Sequence, residues 1–205
     1  MHARCDMEAS GIILAGGKNL RLGRNKALEI IGGKTVIERV FASLSRIIKT
    51  IIIVTADGKN QLMPLPGACF VADIYPGKGP LGGIYSGVST SPTDLNIVVA
   101  CDMPFLNTDL LRHMLELSPG YDAIIPRTRE SLFEPLHAVY SRNCLPVIKS
   151  HVESGKLSIR AFLAEVKVRY IEEDECRRYD PELLSFFNMN RQADYEKATK
   201  IAERY

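Results

Sequence analysis

Residues 51–55, Ile-Ile-Ile-Val-Thr, form a β-branched run that stays apolar until its last position. It is too short for a helix, and a half-exposed strand would alternate apolar with polar residues. An unbroken run of this kind belongs to a strand covered on both faces. Ile12-Ile-Leu14 and Leu95-Asn-Ile-Val-Val-Ala-Cys101 have the same character, and Cys69-Phe-Val-Ala72 adds a further strand. Such strands need helices to cover them. Residues 34–48 carry Val36, Ile37, Val40, Phe41, Leu44, Ile47 and Ile48 at helical spacing. Further helices are expected over about 82–90, from a Thr108 cap to Leu117, over 142–153 and 158–164, and at 192–204. Further strands are expected at 121–125, 136–140 and 166–171.

Strands alternating with helices imply right-handed crossovers and a mostly parallel sheet. The expected fold is a single α/β domain over residues 1–205, a Rossmann-like three-layer sandwich with helices on both faces. Residues 1–9 are expected to form a loose N-terminal extension. The chain's 205 residues suit one domain of this size. No apolar stretch is long enough to cross a bilayer, and the N-terminus has no signal-like apolar region. A soluble, cytoplasmic protein with no membrane partner is expected. Lys+Arg number 26 against 24 Asp+Glu, so the net charge of +2 gives no general pull toward nucleic acid. Any anion site must come from a local cluster. The five Cys are odd in number and widely spaced without Cys-x-x-Cys, which reads as buried, unbridged thiols. The four His show no metal-ligand spacing, and His137, within a strand, reads as structural.

In open sheets of this kind ligands bind beyond the carboxyl ends of the strands. Those ends are Gly16–Lys26, Thr55, Asp73, Pro76–Gly83 and Asp102. The first, Gly16-Gly-Lys-Asn-Leu-Arg-Leu-Gly-Arg-Asn-Lys26, combines three glycines with the cations Lys18, Arg21, Arg24 and Lys26. Glycines let backbone N–H groups approach an anion, and the cations concentrate charge there, as a triphosphate requires. The spacing is neither that of a Walker A loop nor Gly-x-Gly-x-x-Gly. A strand-end Asp102 can hold Mg²⁺, which prefers hard oxygen ligands and shares itself with phosphates; a turn or capping aspartate is the alternative. Asp73 has the same alternative. Pro76–Gly83 reads as a mobile flap running into a helix N-terminus. Asn188 and Asn190, two apart, would face one side of an extended segment. Ser158, Arg160 and Lys156 could meet a phosphate, although Ser158 also makes a good helix cap.

Leu14-Ala-Gly-Gly17 followed by Arg21-x-Gly23-x-x-Lys26-Ala-Leu28 resembles the signature Leu-Ala-Gly-Gly-x-x-x-Arg-Met-Gly-x-x-Lys-x-Leu of the molybdenum cofactor guanylyltransferases, within the pyrophosphorylase-like nucleotidyltransferases. The resemblance continues at Asp73, Gly79-Pro-Leu-Gly-Gly83, Cys101-Asp-Met-Pro104 and Pro135-Leu-His-Ala138, and ends at Phe187-Asn-Met-Asn190. Departures are Leu22 for Met, Asn25 for Asp, and Arg191-Gln192 where Thr-Pro is usual. The resemblance implies transfer of GMP from GTP to molybdenum-loaded molybdopterin, with release of pyrophosphate and Mg²⁺ as cofactor. Arg21, Lys26 and Asp102 would be catalytic, with Asp102 on the metal. Leu14, Ala15, Gly16, Gly17, Lys26, Thr55, Asp73 and Asp102 would bind GTP, Gly16 being the position that goes with guanine rather than cytosine. Asn188 and Asn190 would bind the acceptor, so the N-terminal part takes the nucleotide and the C-terminal part the acceptor. Protein partners would be cofactor-assembly or apo-molybdoenzyme proteins. Two alternatives stand beside this: a nucleotidyltransferase using CTP or another phosphorylated acceptor, and a non-catalytic nucleotide-binding protein.

Overall fold

A computed structural model describes residues 8–16, 20–21, 24–58, 65–130 and 133–204, with 20–21 and 24–25 as backbone only. Most of the expected N-terminal extension lies outside these residues. Ala9 does not belong to it, because it is buried and opens the first strand.

Seven strands form the main sheet: β1 (Ala9–Leu14), β2 (Thr50–Thr55), β3 (Ala68–Ala72), β4 (Leu95–Ala100), β5 (Ala123–Pro126), β6 (His137–Ser141) and β7 (Val168–Ile171). Their order across the sheet is β7-β5-β6-β4-β1-β2-β3. Neighbours run parallel except at β6, which is antiparallel to both β4 and β5. The helices are α1 (Val36–Ser45), α2 (Gly79–Thr90), α3 (Thr108–Glu116), α4 (Leu145–Glu153), α5 (Ile159–Leu163), α6 (Glu173–Cys176) and α7 (Gln192–Ala202). Two short ribbons precede α1. One pairs Leu20–Arg21 with Arg24–Asn25, so the basic loop folds back on itself; the other pairs Ile30–Ile31 with Lys34–Thr35.

The apolar runs split between two layers with the period of two that a strand imposes. On β2, Ile51 and Ile53 face α1 and α3, where they meet Ile37, Val40, Leu44, Leu110 and Met114. Ile52 and Val54 face the other layer, with Leu81, Ile84 and Val88 of α2 and Ile148 and Val152 of α4. Each such side chain, fully buried, stabilises the fold by about 1.5–3 kcal/mol. This is the expected three-layer sandwich. A smaller cluster of Ile31, Val36, Met189, Ala198 and Ala202 fastens α7 to the second ribbon.

Several local expectations change. α2 begins at Gly79, not near residue 82, with Pro80 in its first turn, where a missing N–H goes unnoticed. Residues 79–83 are therefore a helical turn instead of a flap. α3 is capped by Asn107, not Thr108: Asn107 Oδ1 accepts the N–H groups of Asp109 at 3.0 Å and Leu110 at 2.9 Å. Ser158 does cap α5, accepting the Ala161 N–H at 3.3 Å. Among the described cysteines Cys101, Cys144 and Cys176 are buried and unbridged, whereas Cys69 is exposed.

Candidate active site

The order of the strands reverses between β1 and β4. From β1 the chain moves outward to β2 and β3; β4 then returns to lie on the other side of β1. A crevice opens at such a point beyond the carboxyl ends. Backbone bonds carry the sheet one residue past the strands: Ala15 N–H to Val54 O (2.9 Å), Asp73 N–H to Thr55 O (2.8 Å) and Cys101 N–H to Leu14 O (3.2 Å). Asp73, Thr55, Ala15-Gly16 and Asp102 thus line up along one edge. The Leu14 carbonyl and Ala15 N–H are committed to the sheet.

Three stretches distant in sequence meet at Asp102. Lys26 opens a short 3-10 turn anchored by buried Ala27. Its Nζ donates to the Asn190 carbonyl at 2.9 Å and lies 3.5 Å from Asn190 Oδ1. The carbonyl of Asp102 accepts the Met189 N–H at 3.0 Å. Burial pushes the Asp102 carboxyl above the usual carboxylate range, while its own backbone N–H and the Lys26 ammonium pull the other way. Lys26, Asp102 and Asn190 are therefore brought together. Gly17 and the side chain of Arg21 lie outside the described residues, as do the side chains of Lys18 and Arg24.

Thr55 is buried, and its hydroxyl has no hydrogen-bond partner among the described residues. Buried polar groups are normally bonded, so this hydroxyl is open to a ligand group or water. Asp73 Oδ1 receives the Ser86 hydroxyl at 2.8 Å and the Tyr75 N–H at 3.0 Å, which knits the turn after β3 to α2. Gly16 is exposed, and a Cβ built there would first meet Ala56 N at 3.7 Å, an ordinary contact. Among the described residues, nothing in the packing requires glycine at this position.

Asn188 borders a cleft of about 660 Å³, together with Arg129, Glu134, Phe186, Phe187 and Lys197. This adjoins a second cleft of about 490 Å³ beyond β5 and β7, bordered by Arg127, Phe133 and Arg160. The Arg127 guanidinium lies 3.8 Å over the Tyr170 ring and 3.3 Å from Glu172. The two asparagines thus serve different places: Asn190 meets Lys26 and Asn188 meets the cleft. Among the described residues no group of three or more His, Cys, Asp or Glu gathers around a metal position. A lone carboxylate such as Asp102 suits a hard cation that takes its other ligands from phosphates and water.

Residues 11–171 match the model of the MobA-like NTP transferase domain. The chain belongs to that family. It is 37% identical over 197 residues to a probable molybdenum cofactor guanylyltransferase of Pelotomaculum thermopropionicum, covering 96% of this chain and 95% of the relative. It is 35% identical to the molybdenum cofactor guanylyltransferase of Desulfosudis oleivorans, over 92% of this chain and 93% of that one. Among solved structures it is similar to molybdopterin-guanine dinucleotide biosynthesis protein A of Archaeoglobus fulgidus, with a TM-score of 0.84, 29% identity, and coverage of 96% and 100% of the two chains.

Two further residues of this MobA-like chain hold the candidate site residues in place, and neither stands out in the sequence. Ser86 connects Asp73 to α2, and Asp194 accepts the Asn190 N–H at 2.8 Å. The signal for Asp194 is its place in the first turn of the last helix, where a carboxylate meets free N–H groups. His137 is fully buried, with neither ring nitrogen bonded among the described residues; burial lowers its pKa to about 3. It sits in the core, in keeping with the structural role expected of it.

Proposed function

We propose that this MobA-like nucleotidyltransferase transfers GMP from GTP to molybdenum-loaded molybdopterin, forming the guanine dinucleotide cofactor. The observation that carries the reading is the meeting of Lys26, Asp102 and Asn190 at the β1/β4 crevice, in a chain whose relatives bear the guanylyltransferase name.

GTP lies across the strand ends, with its base against Ala15-Gly16 and Thr55, its ribose near Asp73 and its phosphates toward Lys26 and Arg21. A terminal phosphate oxygen of the acceptor attacks the α-phosphorus in line. The bond from that phosphorus to the bridging oxygen breaks, and pyrophosphate leaves with the electron pair. Lys26 and Arg21 neutralise the charge that grows on the leaving group. A phosphate dianion is already a nucleophile at neutral pH, so no general base is needed. Asp102 would hold Mg²⁺, and the ion when bound supplies charge stabilisation to the phosphates. Asn188 and the adjoining clefts receive the acceptor. No helix among the described residues is long and apolar enough to cross a membrane; a cytoplasmic site of action and contact with cofactor-assembly or molybdoenzyme proteins fit the chemistry.

Asp102→Asn tests the reading. Pyrophosphate release from GTP plus acceptor is expected to fall by about a hundredfold or more. Unchanged release would remove the metal role from Asp102.

A further inference from the structure

The last helix closes on the nucleotide crevice through one carboxylate. Asp194 Oδ2 accepts the backbone N–H of Asn190 at 2.8 Å and that of Arg191 at 2.7 Å. Arg191 occupies the N-cap position of α7 with extended backbone, and its guanidinium cannot accept a hydrogen bond as Ser, Thr, Asp or Asn would. The Asp194 side chain is therefore what fixes this entry. Upstream, Met189 is buried in the α7 cluster and its N–H bonds the Asp102 carbonyl at 3.0 Å. Downstream, the Tyr195 hydroxyl donates to the Ile30 carbonyl at 2.8 Å. Between these anchors the Asn190 carbonyl takes Lys26 Nζ at 2.9 Å.

We propose that Asp194 is a positioning residue for Lys26: by holding Asn190, it keeps the Lys26 ammonium beside Asp102, ready for the nucleotide phosphates. Lysine carries its charge on a flexible four-carbon stem, and a catalytic charge works best when already in place. The inference rests on the proposed role of Lys26 in phosphate binding. Asp194 also borders the acceptor cleft, so the test must separate indirect from direct action.

The experiment uses the full chain with Asp194→Ala, Asp194→Asn and Tyr195→Phe. Without nucleotide, the rate at which an amine-acylating reagent labels Lys26 is followed by mass spectrometry. With GTP and acceptor, kcat and both KM values are measured. Asp194→Ala is expected to label Lys26 several-fold faster and to lower kcat about 10- to 100-fold, the usual penalty for a displaced catalytic group, with acceptor KM within about twofold. Asp194→Asn keeps an acceptor oxygen and recovers most of both. Tyr195→Phe loosens the same helix but not Asn190, and leaves Lys26 labelling unchanged. Unaltered labelling in Asp194→Ala overturns the proposal, and so does an effect confined to acceptor KM. Lys26→Ala, run in parallel, separates the two readings. If it keeps full transfer, the assigned role of Lys26 fails. If it loses transfer while Asp194→Ala does not, only the positioning role fails.

Discussion

Asp102 and His137 show how burial acts on groups of opposite charge. Burial raises the Asp102 pKa, so its ionised form is disfavoured in the folded chain. A carboxyl raised above its unfolded value lowers stability as pH rises through the window just above the ordinary carboxylate range. The Asp102→Asn protein is therefore expected to melt no lower than wild type at neutral pH. His137 has the reverse sign. Its pKa falls from 6.5 to about 3, so the folded chain refuses a proton that the unfolded chain accepts. The stability it supports is complete above 6.5 and is lost as pH drops, at up to about 1.4 kcal/mol per pH unit. His137→Leu should remove that part of the acid slope, read as the difference between urea unfolding of the two proteins at pH 7, 5 and 4. Equal slopes would contradict it. The strand around His137 was legible in the sequence. Its lack of hydrogen-bond partners among the described residues was not, because Phe186, whose ring sits 5.0 Å away, comes from a distant 3-10 turn.

At the scale of elements, α2 shows where local pattern misleads. Gly79 falls in the stretch expected to be a flap, yet it opens the helix that also holds Gly82, Gly83 and Gly87. Glycine within a helix is unfavourable by roughly 0.5–1 kcal/mol relative to alanine. Close packing against β1 explains its presence: a Cβ at Gly87 would stand 2.4 Å from Ile12 Cγ2, in the middle of a core with no room to yield. Gly87→Ala is accordingly expected to destabilise by about 1–3 kcal/mol despite its better helix propensity, measurable as a lower urea midpoint at unchanged m. A neutral or stabilising result would mean that α2 can shift away from β1. The α3 cap follows the same lesson. Asn107 and Thr108 are both able to cap, and the choice falls to Asn107 because its N–H meets Ser185 Oγ at 2.8 Å and its Nδ2 meets the Tyr179 carbonyl at 2.9 Å. By contrast the β-branched runs gave β1, β2 and β4 away, since only a doubly covered strand tolerates them.

For the whole molecule, strand ends were the readable part of the site. Asp73, Thr55, Gly16 and Asp102 each close an apolar run, and a parallel sheet must bring such ends to one edge. The reversal of β6 was less evident, although only ten residues separate β5 from β6 and the described ones among them form no helix to carry a parallel crossover. The proposed acceptor side was legible only through the family resemblance of Asn188 and Asn190. The two clefts near Asn188 draw on residues 127–130, 133–134, Arg160, 172–174, Arg177, 182–184, 186–188, Asp194 and Lys197, and no short motif encodes that meeting. The proposed reaction joins the two regions: nucleotide at the β1/β4 crevice, phosphorylated pterin beyond Asn188, guanylate passed between them. The most direct measurement incubates the protein with Mg²⁺, metal-loaded molybdopterin and an equimolar mixture of GTP and CTP, and identifies the products by mass spectrometry. The guanine dinucleotide with stoichiometric pyrophosphate is the expected result; a cytosine dinucleotide as main product, or no dinucleotide at all, would contradict it.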